Sequence, residues 1–81
     1  MAETPEAVYQ ALGARIRMMR DMLGIDQLDL ATRIGLTRAS IANVETGRQR
    51  IRVDQVEAIA KAFGTTPRAP VGILDTILRE E

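Results

Sequence analysis

The chain has 81 residues, with 11 Lys+Arg against 11 Asp+Glu, so it is formally neutral and long enough for one small domain. It contains no Cys and no His, which excludes disulfides, Cys/His zinc sites, His-based triads and thiol chemistry together. One Phe, one Tyr and no Trp leave little for stacking on single-stranded bases, and a neutral total lacks the basic excess usual for nucleic-acid binders.

No apolar run approaches the roughly 18–20 residues that span a bilayer. Met1 to Glu6 is acidic and lacks the basic-then-apolar pattern of a signal peptide. The expectation is a cytoplasmic protein with no membrane association.

In chain order, every periodic segment is helical. Thr4-Pro5-Glu6 reads as an N-cap, a first-position proline and a first-turn acid. Val8, Leu12, Ile16, Met19 and Leu23 then recur at three and four, and Gly24 marks an end. Gly13 weakens the middle and suggests a split there. Met18, Met19 and Met22 read as core filling, with a flexible protein-binding surface as the alternative. Asp26 caps a second helix with Leu30, Ala31 and Ile34 on one face, stopped by Gly35. Thr37 caps a third with Ile41 and Val44 inward, ended by Thr46-Gly47. Asp54-Gln55-Val56-Glu57 has capping-box spacing and opens a fourth, with Val56, Ile59, Ala60 and Phe63 inward and Gly64 at its end. Pro70 starts a fifth with Val71, Leu74, Ile77 and Leu78 along one side. The expected fold is all-α and compact, with five helices. Residues 1–4 read as a flexible tail, 5–69 as the domain, and 70–81 as a C-terminal dimerisation helix.

Gln27 to Gly47 holds two helices of about eight residues joined by Gly35-Leu36-Thr37. So short a link sets them at a steep angle, as in a helix-turn-helix. Gly13-x-x-Ile16-x-x-x-Arg20, Gln27-x-x-x-Ala31-x-x-x-Gly35-Leu36-Thr37-x-x-x-Ile41-x-x-x-Glu45-x-Gly47 and Ala60-Lys61-Ala62-Phe63-Gly64 together resemble the lambda-repressor-like (Cro/repressor) helix-turn-helix family. Ile51 stands where that family often carries Pro, and Asp26 replaces its more usual Ser or Thr cap.

The resemblance implies a transcriptional regulator, a repressor among the family's usual roles, with helix 38–45 in the major groove of double-stranded DNA. It assigns base reading to Arg38, Ala39 and Asn43. Arg suits guanine O6/N7, Asn suits adenine N6/N7, and the Ala methyl suits thymine. Backbone contacts fall to Gln27, Thr37, Thr46, Arg48, Arg50 and Arg52. Val71, Leu74, Ile77 and Leu78 would join two copies on a pseudo-palindromic operator. The neutral total also divides: residues 33–52 hold five arginines and Glu45, a local +4, against −4 elsewhere. Glu45 lies where the helix dipole disfavours an anion, so a compensating pair with Arg20 is expected.

Catalysis has little to draw on. Tyr9, Ser40 and Lys61 are scattered, no Gly-rich loop opens a helix, and no carboxylate cluster suggests a metal. The expectation is a non-enzyme without cofactor or metal. The alternative reading is a protein-interaction module, a coactivator or antitoxin-like partner, using the same fold with weak DNA binding.

Overall fold

The computed structural model describes residues 4–65. They form four helices, α1 (Pro5–Leu23), α2 (Gln27–Ile34), α3 (Arg38–Glu45) and α4 (Val53–Gly64), with no strand among the described residues. The expected fifth helix, with Val71, Leu74, Ile77 and Leu78, lies outside them, as do residues 1–3 of the expected tail.

Local chemistry fixes the first three helix starts. The Ala7, Asp29 and Ser40 amides donate to the side chains of Thr4 (3.1 Å), Asp26 (2.7 Å) and Thr37 (3.0 Å). Each contact satisfies an amide that the helix itself cannot. Thr4 is therefore the cap of α1 rather than part of a tail.

Three expectations need correction. Helix α1 runs unbroken through Gly13. That glycine is buried against the end of α3, where an added Cβ would strike the Val44 carbonyl and come within 2.9 Å of the Glu45 carbonyl. Gly13 thus marks a close approach of two backbones and not a break. Helix α4 starts at Val53, and its N-cap, two residues before the expected one, is Arg52, whose amide donates to Gln55 Oε1 at 3.0 Å. Gly64 is the last helical residue, and Thr65 closes the helix through its amide and hydroxyl on Ala62 O.

The core joins Leu12, Ile16 and Met19 of α1, Leu30 and Ala31 of α2, Ile41 and Val44 of α3, and Val56, Ile59 and Phe63 of α4. Ile25 and Ile51, both in connections, close it from two sides. Of the three clustered methionines only Met19 is core; Met18 and Met22 are more than half exposed. Their positions on α1 fall between the inward turns set by Ile16, Met19 and Arg20. Among the described residues no helix is long and apolar enough to cross a membrane.

A candidate nucleic-acid interface

The site is built on α2, the turn and α3. Gly35 takes φ 73°, a left-handed conformation that L side chains resist, and its amide bonds to Ala31 O. The Leu36 amide donates to the same carbonyl at 2.9 Å, and the Leu36 side chain packs on the core. Thr37 then caps α3. Ala31 on α2, 0% exposed, is a small side chain in the same core as Ile41 and Val44, which pin α3 to it. The opposite side of α3 presents Arg38 and Ala39 exposed and Asn43 half-buried.

A polar network continues from the core to that surface. Arg20 Nε and Nη2 grip Glu45 Oε2 and Oε1 at 2.7 and 3.1 Å, and Arg20 Nη1 donates to Ile25 O at 2.8 Å. Both side chains are buried, and among the described residues no buried side-chain nitrogen or oxygen is left without a partner. The hydrogen bond to Glu45 raises the Arg20 guanidinium above its ordinary range; burial opposes the shift, and the Glu45 charge reinforces it. The Gln27 amide extends the network, donating from Nε2 to Glu45 Oε1 at 3.0 Å and accepting from Arg38 Nη1 at 3.0 Å.

These bonds redistribute the expected backbone contacts. With both ends of the Gln27 side chain engaged, its main-chain N–H at the start of α2 is what it offers an anion. The Thr46 hydroxyl donates back to Ala42 O or Asn43 O, at 3.2 and 3.3 Å. Thr37 Oγ1 accepts from Ser40 and keeps its proton for an outside acceptor. Arg17, Arg20, Asp26, Gln27, Leu28 and Arg38 line one open concavity between α1 and the start of α2. Arg17 had no sequence signal beyond lying one turn before Arg20, so the sequence reading missed it.

The basic run is less uniform than its sequence. Arg33 points away from α3: it pairs with Asp29 at 2.9 Å and reaches Thr65 Oγ1 and Ala62 O at the end of α4. Its charge belongs to the α2–α4 contact, so the +4 of residues 33–52 is not one surface. Arg50 lies 5.2 Å from the Tyr9 ring centroid, with Glu6 Oε1 4.0 Å from its Nη2. Arg52 donates to both oxygens of Asp54, at 2.9 and 3.1 Å. Those bonds raise the Arg52 guanidinium and hold the Asp54 carboxyl below its ordinary range. Val71, Leu74, Ile77 and Leu78 lie outside the described residues. Among the described residues no group of three metal-ligating side chains converges.

Residues 11–71 match a family model described as a helix-turn-helix domain. The sequence is 33% identical over 70 residues to an immunity repressor protein of Bacillus phage phi105, covering 86% of this chain and 48% of that one. The chain therefore spans about half the length of this phage relative. It is 38% identical over 60 residues to an uncharacterized HTH-type transcriptional regulator of Methanothermobacter thermautotrophicus, covering 74% of this chain and 87% of that protein. In three dimensions it is similar to the restriction-modification controller protein C.AhdI from Aeromonas hydrophila. There the TM-score is 0.69 and the identity 30%, over 78% of this chain and 96% of the other.

Proposed function

Because this chain belongs to the helix-turn-helix domain family, we propose that it is a sequence-specific DNA-binding transcriptional regulator with α3 as its recognition helix. One observation carries the reading. Helix α3 is fixed by a buried face and by the Arg20–Glu45–Gln27 network, while Arg38, Ala39 and Asn43 stand on its other side. A rigid helix with a short apolar residue between reach and amide suits the edges of guanine, thymine and adenine in the major groove. Main-chain N–H groups at the start of α2, Thr37, and Arg48 with Arg50 after α3 supply the phosphate grip that sets register.

One copy presents few base contacts, so we propose a homodimer on a two-fold-related operator, with recognition helices about 34–36 Å apart. Val71, Leu74, Ile77 and Leu78 are the proposed contact. Sedimentation of a Leu74→Asp, Leu78→Asp variant tests it: the parent runs as a dimer and the variant as a monomer. Equal masses would remove these residues from the interface.

Selection of bound duplexes from a random double-stranded pool, at two salt concentrations, tests the function. A recovered motif with two related half-sites is the expected result. A pool that stays random, with no salt dependence, would favour the protein-interaction reading, for which Met18 and Met22, 55% and 59% exposed on α1, offer an apolar surface.

A further inference from the structure

Carboxylates divide the arginine run that follows α3. Arg52 places both arms of its fork on Asp54, two residues away in sequence, at 2.9 and 3.1 Å. Arg50 has Glu6, from the first turn of α1, at 4.0 Å. Arg48, between them and α3, bonds through its main-chain N–H to Asn43 O, while its guanidinium has no hydrogen bond or ion pair among the described residues. We propose that Asp54 and Glu6 are internal competitors for the DNA backbone, each occupying an arginine that would otherwise hold a phosphate, so that together they lower affinity for DNA of every sequence. The proposal rests on the DNA-binding function argued above.

The chemistry follows from what a guanidinium fork recognises. Carboxylate and phosphodiester oxygens take the same paired N–H donors, and a fork wholly committed to one is not available to the other. The Arg52–Asp54 pair closes over a single intervening residue, so its chain-entropy cost is small. Asp54 also lies in the first turn of α4, where the helix dipole favours an anion. The hydrogen bonds from Arg52, then its charge, keep the Asp54 carboxyl below its ordinary range, so the competitor is ionised at neutral pH. Glu6 is the weaker competitor. Its distance is longer, and Arg50 is held independently by the Tyr9 ring.

The arginine–carboxylate pairs bring little net charge to DNA, so they release few counterions. Sequence-independent binding is almost wholly this phosphate term. Quenching Arg52, and partly Arg50, lowers it and leaves selection to Arg38, Ala39 and Asn43.

The test measures binding of the full chain, Asp54→Asn, Glu6→Gln and the double variant to a selected operator and to a random-sequence duplex, across salt. Thermal melting of each is run alongside. Each released arginine should steepen the log–log salt slope by about 0.9 and tighten binding to both duplexes several-fold at low salt. Asp54→Asn should show the larger gain, and adding Arg52→Ala should cancel it. Loss of a helix-start acid alone would lower the melting temperature and leave affinity unchanged or weaker. That outcome, in a folded Asp54→Asn and in Glu6→Gln alike, overturns the competition. If the parent binds no duplex at any salt and neither variant gains binding, the DNA-binding function falls with it, a distinguishable result.

Discussion

Arg20 on α1 and Glu45 at the end of α3, twenty-five positions apart, form a buried two-pronged ion pair with N–O distances of 2.7 and 3.1 Å. Glu45 sits at the negative end of its helix dipole, so Arg20 and Gln27 are what make an anion tolerable there. Removing one partner leaves the other buried and uncompensated. Arg20→Met is expected to cost about 3–5 kcal/mol in urea unfolding, whereas Arg20→Met with Glu45→Leu should recover most of that loss. A single variant costing under about 1 kcal/mol would mean that the pair is solvated in solution.

Two glycines in helices should respond to alanine with opposite signs. At Gly13 a Cβ would run into the Val44 carbonyl and crowd the Glu45 carbonyl, backbone atoms that α3 cannot move without disturbing the Arg20–Glu45 pair. The resulting strain, about 1–3 kcal/mol, exceeds the gain of up to about 1 kcal/mol from better helix propensity. At Gly64 the Cβ meets nothing within 4 Å. Gly64→Ala should therefore stabilise, by up to about 1 kcal/mol. Unfolding midpoints at an unchanged urea slope report both; a stabilised Gly13→Ala would contradict the close approach.

Gln27 links stability to recognition, since one amide serves Glu45 and Arg38. Gln27→Ala removes a hydrogen bond from a buried carboxylate and unties Arg38. The expected losses are about 1.5–3 kcal/mol in unfolding, the range for hydrogen bonds to charged groups, together with weaker preference at the base Arg38 reads. Gln27→Glu separates the two roles. It places a second carboxylate beside Glu45, so its stability should fall below that of Gln27→Ala. A Gln27→Ala variant as stable as the parent would show that the Gln27–Glu45 bond contributes nothing.

Much of the fold was legible because it is written in local chemistry. Thr4, Asp26 and Thr37 cap the helices that their side chains begin, and Gly35 turns between α2 and α3. What was illegible depends on partners distant in sequence. Gly13 reads as a weak helix former until α3 is seen passing against it. Ile25 and Ile51 lie in connections, where helical periodicity says nothing about burial. The capping-box spacing at Asp54 misplaces the start of α4, because the Gln55 side chain reaching the Arg52 amide sets the cap two residues earlier. The site divides in the same way. A charge count along the chain marks a basic run, but Glu6 pairs with Arg50 across forty-four positions, and Arg33 turns toward α4. Only spatial neighbours separate the available cations from the neutralised ones.

Arg38 and Arg48 should fail differently when replaced. Arg38 stands on the first turn of α3, where its fork can reach a guanine edge, and Gln27 holds it in place. Arg48 follows the helix in the loop and is exposed. Arg38→Ala is expected to cost about 1–3 kcal/mol on the preferred duplex and much less on one altered at the base it reads, relaxing choice at one position per half-site. Arg48→Ala should weaken all duplexes alike and lower the salt slope by about 1. Titrations on the preferred, singly altered and random duplexes at two salt concentrations separate the two patterns. A uniform loss for Arg38→Ala would move it from base reading to backbone contact, and a sequence-dependent loss for Arg48→Ala would do the reverse.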